Sequence, residues 1–395
     1  YDEIFKPADG IGVRFQDAGH ILGAAMVELF IEENGRTLKL VFSGDIGRPN
    51  QLLMKDPSSM HQADYLFMES TYGNRNHKGE QESLDELAQA IQYSYRNQEK
   101  VVIPAFAVER TQEILYSLHL LFRDGRLPKD MPIYLDSPLA IKATEIFRRY
   151  ASYLDSETQV LLKNGEDPLR LPNLRLSTST EDSIAINETK EAAIVISASG
   201  MANAGRIKHH LRHNLWRPGA SVVFVGFQAE GTPGRKIVDG AKKIRIFNEE
   251  IAVAAKIFTI NGFSAHAGQD QLLDWVGQFQ TRGMQVFLVH GEYSAQQHLA
   301  DLIRAKLGFV VDIPEYLEEI RLQAGAPVEA VKLPPMAKPE MDFPALLSGL
   351  MVSIADLNAK TARLQALPAD KQTRIAEQLR RAAAEIEGIR LKAED

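Results

Sequence analysis

Asp17-Ala18-Gly19-His20-Ile21-Leu22-Gly23-Ala24 and Ser43-Gly44-Asp45-Ile46-Gly47 decide how this chain is read. Each follows an apolar stretch with strand character, Gly12–Phe15 and Leu38–Phe42. Each also sets a candidate metal ligand, His20 or Asp45, on a glycine-flanked turn where backbone can pass close to an ion. Val286-Phe287-Leu288-Val289-His290-Gly291 repeats the device far downstream. One histidine at a strand end is usually an ordinary polar residue. Three such turns together, offering imidazole and carboxylate, point to zinc or a similar transition metal.

Around these turns the pattern is β. Val27–Glu32 alternates apolar and polar residues, as a half-buried antiparallel strand does, and Asn34-Gly35 makes a hairpin turn towards Thr37–Phe42. Asp64–Met68 leads to Glu69. From Asn76 the period changes, and helices are expected at Ser83–Tyr95, Val108–Leu121, Pro138–Tyr150 and around Arg206–Leu215. They alternate with short continuous apolar runs at 101–104, 132–135, 192–196 and 221–225. That alternation predicts an α/β fold with a parallel sheet, whose ligands bind where strands end and helices begin. A further helix is expected at Gln269–Phe279.

These stretches resemble the β-CASP branch of the metallo-β-lactamase nucleases over residues 1 to about 330. In family terms His20 and Asp45 are two of the metal motifs. Glu69 in Met68-Glu69-Ser70-Thr71-Tyr72-Gly73 is motif A, His266 in Gly262-Phe263-Ser264-Ala265-His266 is motif B, and His290 is motif C. The resemblance implies a partial metallo-β-lactamase αββα sandwich at 1–75, an inserted β-CASP domain at 76–250 and a return to the sandwich at 251–330. A Pro-rich linker and an amphipathic helical hairpin complete the chain at 331–395. It implies a metal-dependent ribonuclease, acting on single-stranded RNA, with two zinc ions in the complete protein. Asp45 would bridge the ions, with His20 and His290 on one each, and His266 would protonate the leaving group under the orientation of Glu69. The turns holding Arg110, Ser137, Ser199, Gly200, Arg206, Gln228 and Arg235 would line the RNA channel, with Arg110 and Arg206 favoured for direct phosphate contact.

The family's main metal motif, His-x-His-x-Asp-His, is not formed by any of the ten histidines. The chain is therefore expected to be the C-terminal portion of a longer protein, with weak or absent metal and no activity by itself, and a second copy is one candidate to cover its exposed sheet. Other readings are a non-catalytic RNA-binding scaffold, and a DNA-directed or small-substrate hydrolase on the same fold.

Composition sets the outer bounds. The 395 residues are 45% apolar and 25% charged, as in globular proteins of more than one domain, and no apolar run reaches membrane-spanning length. Zero cysteines remove disulfides and thiolate metal sites and fit a cytoplasmic protein. Net charge is −7, yet Ser199–Arg245 holds nine Lys or Arg against two acidic residues, a local +7. Such a segment suits a phosphate-binding groove and equally a solvated basic face. His209 and His213 share the i, i+4 spacing of a metal pair. Their basic surroundings and lack of a carboxylate favour a solvated face.

Overall fold

The structure is a computed structural model that describes residues 1–33, 35–322, 331–332 and 351. The chain divides into two compact units, Tyr1–Tyr316 with Arg321–Ala330, and Leu317–Ile320 with Val331–Asp395. Everything below concerns the first. The Pro-rich linker and the helical hairpin expected from sequence lie outside the described residues, apart from Val331–Lys332 and Met351.

Strands β1 (Ile4–Ala8), β2 (Ile11–Asp17), β3 (Ala25–Glu33) and β4 (Arg36–Phe42) form an antiparallel meander. Glu33 pairs with Arg36 at the end of the β3–β4 hairpin. Strand β5 (Tyr65–Glu69) then joins β4 in parallel.

The chain leaves this sheet after Glu69 and builds a second one. Its elements are α1 (Glu80–Arg96), β6 (Val101–Pro104), α2 (Arg110–Arg123), β7 (Ile133–Leu135), α3 (Pro138–Arg149) and α4 (Ser156–Lys163). They continue with β8 (Leu174–Leu176), α5 (Thr180–Glu188), β9 (Ile194–Ser197), α6 (Ile207–Asn214), β10 (Ser221–Val225) and α7 (Pro233–Val238). A hairpin of β11 (Lys243–Ile246) and β12 (Glu249–Ala252) precedes β13 (Lys256–Ile260). The six-stranded sheet has the order β13-β10-β6-β9-β7-β8 and is parallel throughout.

Its central strands are buried along their whole length because side chains on both faces are covered. Val101, Ile103, Val223 and Val225 pack with α1 and α2, while Val102, Val222 and Phe224 pack with α6 and α7. Each such side chain contributes about 1.5–3 kcal/mol by leaving water. This double coverage explains why the runs are continuously apolar and do not alternate.

One boundary is corrected. The sequence reading returned the chain to the first sheet at residue 251, but β13 pairs with β10 from Ser221↔Lys256 to Val225↔Ile260. The crossing comes only after Ile260. An apolar run carries no mark of which sheet it will join, so periodicity could not place it.

Helix α8 (Gln269–Val276), β14 (Gln285–His290), α9 (Tyr293–Leu307) and β15 (Val310–Asp312) complete the first sheet, in the order β1-β2-β3-β4-β5-β14-β15. Met26, Val41, Leu66, Met68, Val286 and Leu288 from its strands bury against Leu272 and Val276 of α8 and Leu299 and Ile303 of α9. The opposite face is aromatic. Phe42 stacks on Phe67 and Phe67 on Phe287, with ring centroids 4.7 and 4.8 Å apart, and Phe15 and Phe42 are 40% and 37% exposed.

Candidate active site

The two quoted turns pack against each other. Gly47 N–H donates to the Ala18 carbonyl at 2.8 Å, and a Cβ on Gly47 would fall 1.9 Å from the Gly19 carbonyl oxygen. Only glycine at 47 allows this approach, so the loop after β2 and the loop after β4 bring His20 and Asp45 together. Parallel pairing of β5 with β14 sets Glu69 beside His290 at the same sheet end. After the crossing from the second sheet, Gly47 bridges to His266, Arg48 N–H reaches the Ala265 carbonyl, and Ala267 N–H reaches the Ile46 carbonyl.

Asp45 is the midpoint. Its Oδ2 lies 3.9 Å from His20 Nε2 and its Oδ1 lies 3.6 Å from His290 Nδ1. Two donors each about 2.1 Å from one zinc ion lie no more than about 4.2 Å apart, so both pairs have a separation that an ion can span. His20 Nδ1 is buried without a partner, and burial followed by the neighbouring His266 lowers the ring's pKa to about 4, leaving a neutral imidazole as metal ligation requires. Among the described residues, the metal-capable clusters are His20–Asp45–His266 and Asp45–Glu69–His290, which share Asp45. His209 and His213 are in neither cluster, and His209 packs on Phe247 with ring centroids 4.5 Å apart.

Glu69 is 1% exposed and spreads its two oxygens over three groups. Ile46 N–H donates to Oε1 at 2.6 Å, Thr71 N–H donates to Oε2 at 3.3 Å, and His266 Nδ1 lies 3.1 Å from both. Burial pushes the carboxyl pKa up, but these bonds outweigh it and hold Glu69 below its ordinary value. For His266 burial pushes down, and the Glu69 carboxylate more than restores it, so the ring's pKa is raised above its ordinary value. A carboxylate that holds an imidazole in one orientation and raises its basicity can, chemically, support proton donation.

His77, which sequence gave no role, braces this loop. Its Nε2 faces the His266 carbonyl at 2.9 Å and its Nδ1 faces the Asn261 carbonyl at 3.2 Å. No local signal marked it, because its partners lie more than 180 positions away.

Parts of the segments expected to line an RNA channel, 106–110, Met201, Phe227 and Ala229, border one cleft beside these residues. The cleft of about 800 Å³ is walled on one side by His20, Thr71, His266 and His290, and on the other by Phe106–Arg110, Leu139, Met201 and Gly226–Phe227. Individual residues differ from the expectation. Arg110 lines the cleft, whereas Ser137, Ser199, Gly200, Arg206, Gln228 and Arg235 do not. Ser137 caps α3 through the Ala140 N–H, Ser199 Oγ donates to Asn203 Oδ1 and Gln228 Nε2 donates to the Gly200 carbonyl. Gly200 makes room for the ring of Phe106. Arg235 pairs with Asp239 of its own helix.

Arg206, favoured for phosphate contact, is engaged by partners within the fold. Its guanidinium donates to Asp136 Oδ1 at 2.7 Å and to the Ser177 and Thr178 carbonyls. Asp136 is fully buried and also receives Ser177, Ser183 and His210, at 2.8, 2.6 and 2.6 Å. Arg212 and Arg217 pair with Glu249 and Glu99, so several charges of the basic stretch are matched by carboxylates outside it. Local charge counting could not see those partners.

Two family models match the chain: a Beta-Casp domain over residues 111–237, and a Zn-dependent metallo-hydrolase RNA specificity domain over residues 250–314. The chain belongs to the β-CASP family of the metallo-β-lactamase fold. Among its curated relatives is a ribonuclease of Thermus thermophilus, 41% identical over 71% of this chain and 63% of that protein. The transcription termination factor FttA of Pyrococcus abyssi is 32% identical over 82% of this chain and 50% of its own length. An RNase J-like protein of Methanocaldococcus jannaschii is 32% identical over 74% and 66%. The chain thus spans about half to two-thirds of these relatives. Among the described residues no helix is long and apolar enough to cross a membrane.

Proposed function

We propose that the protein is a zinc-dependent ribonuclease that hydrolyses phosphodiester bonds of single-stranded RNA held in the cleft between the two sheets. The observation that carries this reading is the Glu69–His266 pair beside the His20–Asp45–His290 donor set. When bound there, the metal supplies a nucleophile from water and neutralises charge on the phosphoryl group. Asp45 would help to hold the metal, together with His20 and His290. His266, kept protonated through Glu69, donates its proton to the departing oxygen. Phe106, 44% exposed at the cleft wall, offers a face to an unpaired base.

The three donors of this chain are divided between two positions, and a catalytic zinc uses three protein ligands of its own. The 395 residues alone are therefore expected to bind metal weakly and to be inactive. A homodimer covering the exposed Phe15 and Phe42 is the companion expectation, which sedimentation at graded concentration tests. Cleavage of matched RNA and DNA oligonucleotides by the full-length protein with zinc, beside a His266→Ala variant, tests the main reading. Cleavage of DNA alone, or equal cleavage by the variant, would sink it.

A further inference from the structure

Four charged side chains are buried together under the cleft. Glu109, Arg110 and Glu113 belong to the start of α2, and Arg48 comes from the loop after β4; their exposures are 2, 6, 0 and 7%. Glu113 takes both cations, with Arg48 Nη2 at 3.0 Å and Arg110 Nη1 closer still. Glu109 is left over. Its Oε2 lies 3.5 Å from Arg110 Nη2, and its Oε1 is enclosed with no hydrogen-bond partner. A buried carboxylate with so few donors is poorly solvated, whereas a neutral acid in that place is not.

The backbone at Glu109 is a γ-turn of the rare positive-φ kind. Its φ and ψ are +68° and −63°, and the Arg110 N–H donates to the Val108 carbonyl at 2.9 Å. Glycine would sit there without strain, so the side chain is held at an unfavourable conformation. The site that gains is the cleft wall, which Glu109 and Arg110 both form.

We propose that Glu109 is a neutral carboxylic acid, which leaves one unbalanced positive charge of the Arg48–Arg110–Glu113 cluster for the phosphates of a bound RNA. This rests on the RNA-binding reading above. Burial pushes the Glu109 pKa to about 8, with Arg110 opposing and Glu113 assisting. Besides Arg110, Glu113 and Arg48, the charged and titratable groups facing the quartet are Tyr72, His77, Glu80 and His266. Below about pH 8 the quartet carries one net positive charge; above it, ionised Glu109 cancels that charge and phosphate binding weakens.

The test uses the full-length protein and a single-stranded RNA oligonucleotide in EDTA, so that binding is read without cleavage. The slope of log affinity against log salt should fall by roughly 0.7, the share of one phosphate contact on a single strand, as pH rises through this point. Glu109→Gln cannot ionise and should keep one slope throughout; Glu109→Gly, which suits the positive φ, should do the same. Parallel loss of slope in wild type and both variants would overturn the proposal. The infrared carbonyl stretch of a protonated carboxyl, present in wild type and missing in Glu109→Gln, reads the proton directly, and its absence from wild type would also overturn it. If no form binds RNA at any pH, the ribonuclease reading fails with the phosphate assignment, while the infrared band still decides the protonation.

Discussion

Glu69 and His266, 197 positions apart, are in direct contact, with both carboxylate oxygens 3.1 Å from the imidazole Nδ1. A sheet end on one side and a loop returning from the second sheet on the other make that contact. In Glu69→Gln the carboxylate that raises the His266 pKa is gone. We expect kcat to fall by about 10²–10⁴, the usual worth of a positioned proton donor, with little change in KM. Activity that needs the imidazolium is lost as pH rises through the His266 pKa. The alkaline limb should therefore move to lower pH in the variant, and a pH–rate profile that does not move would refute the assigned role.

Asp136→Asn should destabilise the protein by about 3–5 kcal/mol, because it leaves partly buried Arg206 and fully buried His210 without their shared anion. Burial raises the Asp136 pKa, but His210, Ser183 and Ser177 outweigh it and hold the carboxyl well below the usual range. A depressed carboxylate stabilises above its unfolded pKa and loses that contribution as pH falls towards the folded value. Urea denaturation should therefore show the wild-type advantage over Asp136→Asn shrinking only in acid.

Arg206→Gln should lower the melting temperature while changing the salt slope of RNA binding little, since the guanidinium is already bound to Asp136 and two carbonyls. A drop in slope with unchanged stability would return Arg206 to the phosphate site.

Gly47→Ala should cost at least about 3 kcal/mol, because the added Cβ meets the Gly19 carbonyl at 1.9 Å. Gly23→Ala, with positive φ but nothing within 4 Å, should cost about 1 kcal/mol. Thermal melts of the two variants give the comparison directly.

Asp45→Asn should remove most bound zinc, because Asp45 is the residue common to both donor clusters. Elemental analysis of the full-length protein after dialysis checks this, and undiminished zinc would mean that the ions sit elsewhere.

The sequence alone determined the parts whose causes are local. Glycine-flanked turns after apolar runs marked His20, Asp45 and His290, and short continuous apolar strands between helices announced a parallel, doubly covered sheet. The family motifs paired Glu69 with His266 before any coordinates did. Only the tertiary structure decided which sheet Lys256–Ile260 joins, because hydrogen-bonded pairing of backbone leaves no trace in side-chain identity. It also decided the fate of the basic segment. Arg206, Arg212 and Arg217 find Asp136, Glu249 and Glu99, 70, 37 and 118 positions away and all outside the segment whose charge was counted. Glu109 is the sharpest case: its place beside Arg110 was visible from the start, but its burial, its turn and the carboxylate it faces arise only where α2 packs beneath the cleft. Charge and proton affinity depend on neighbours in space, and folding chooses those neighbours.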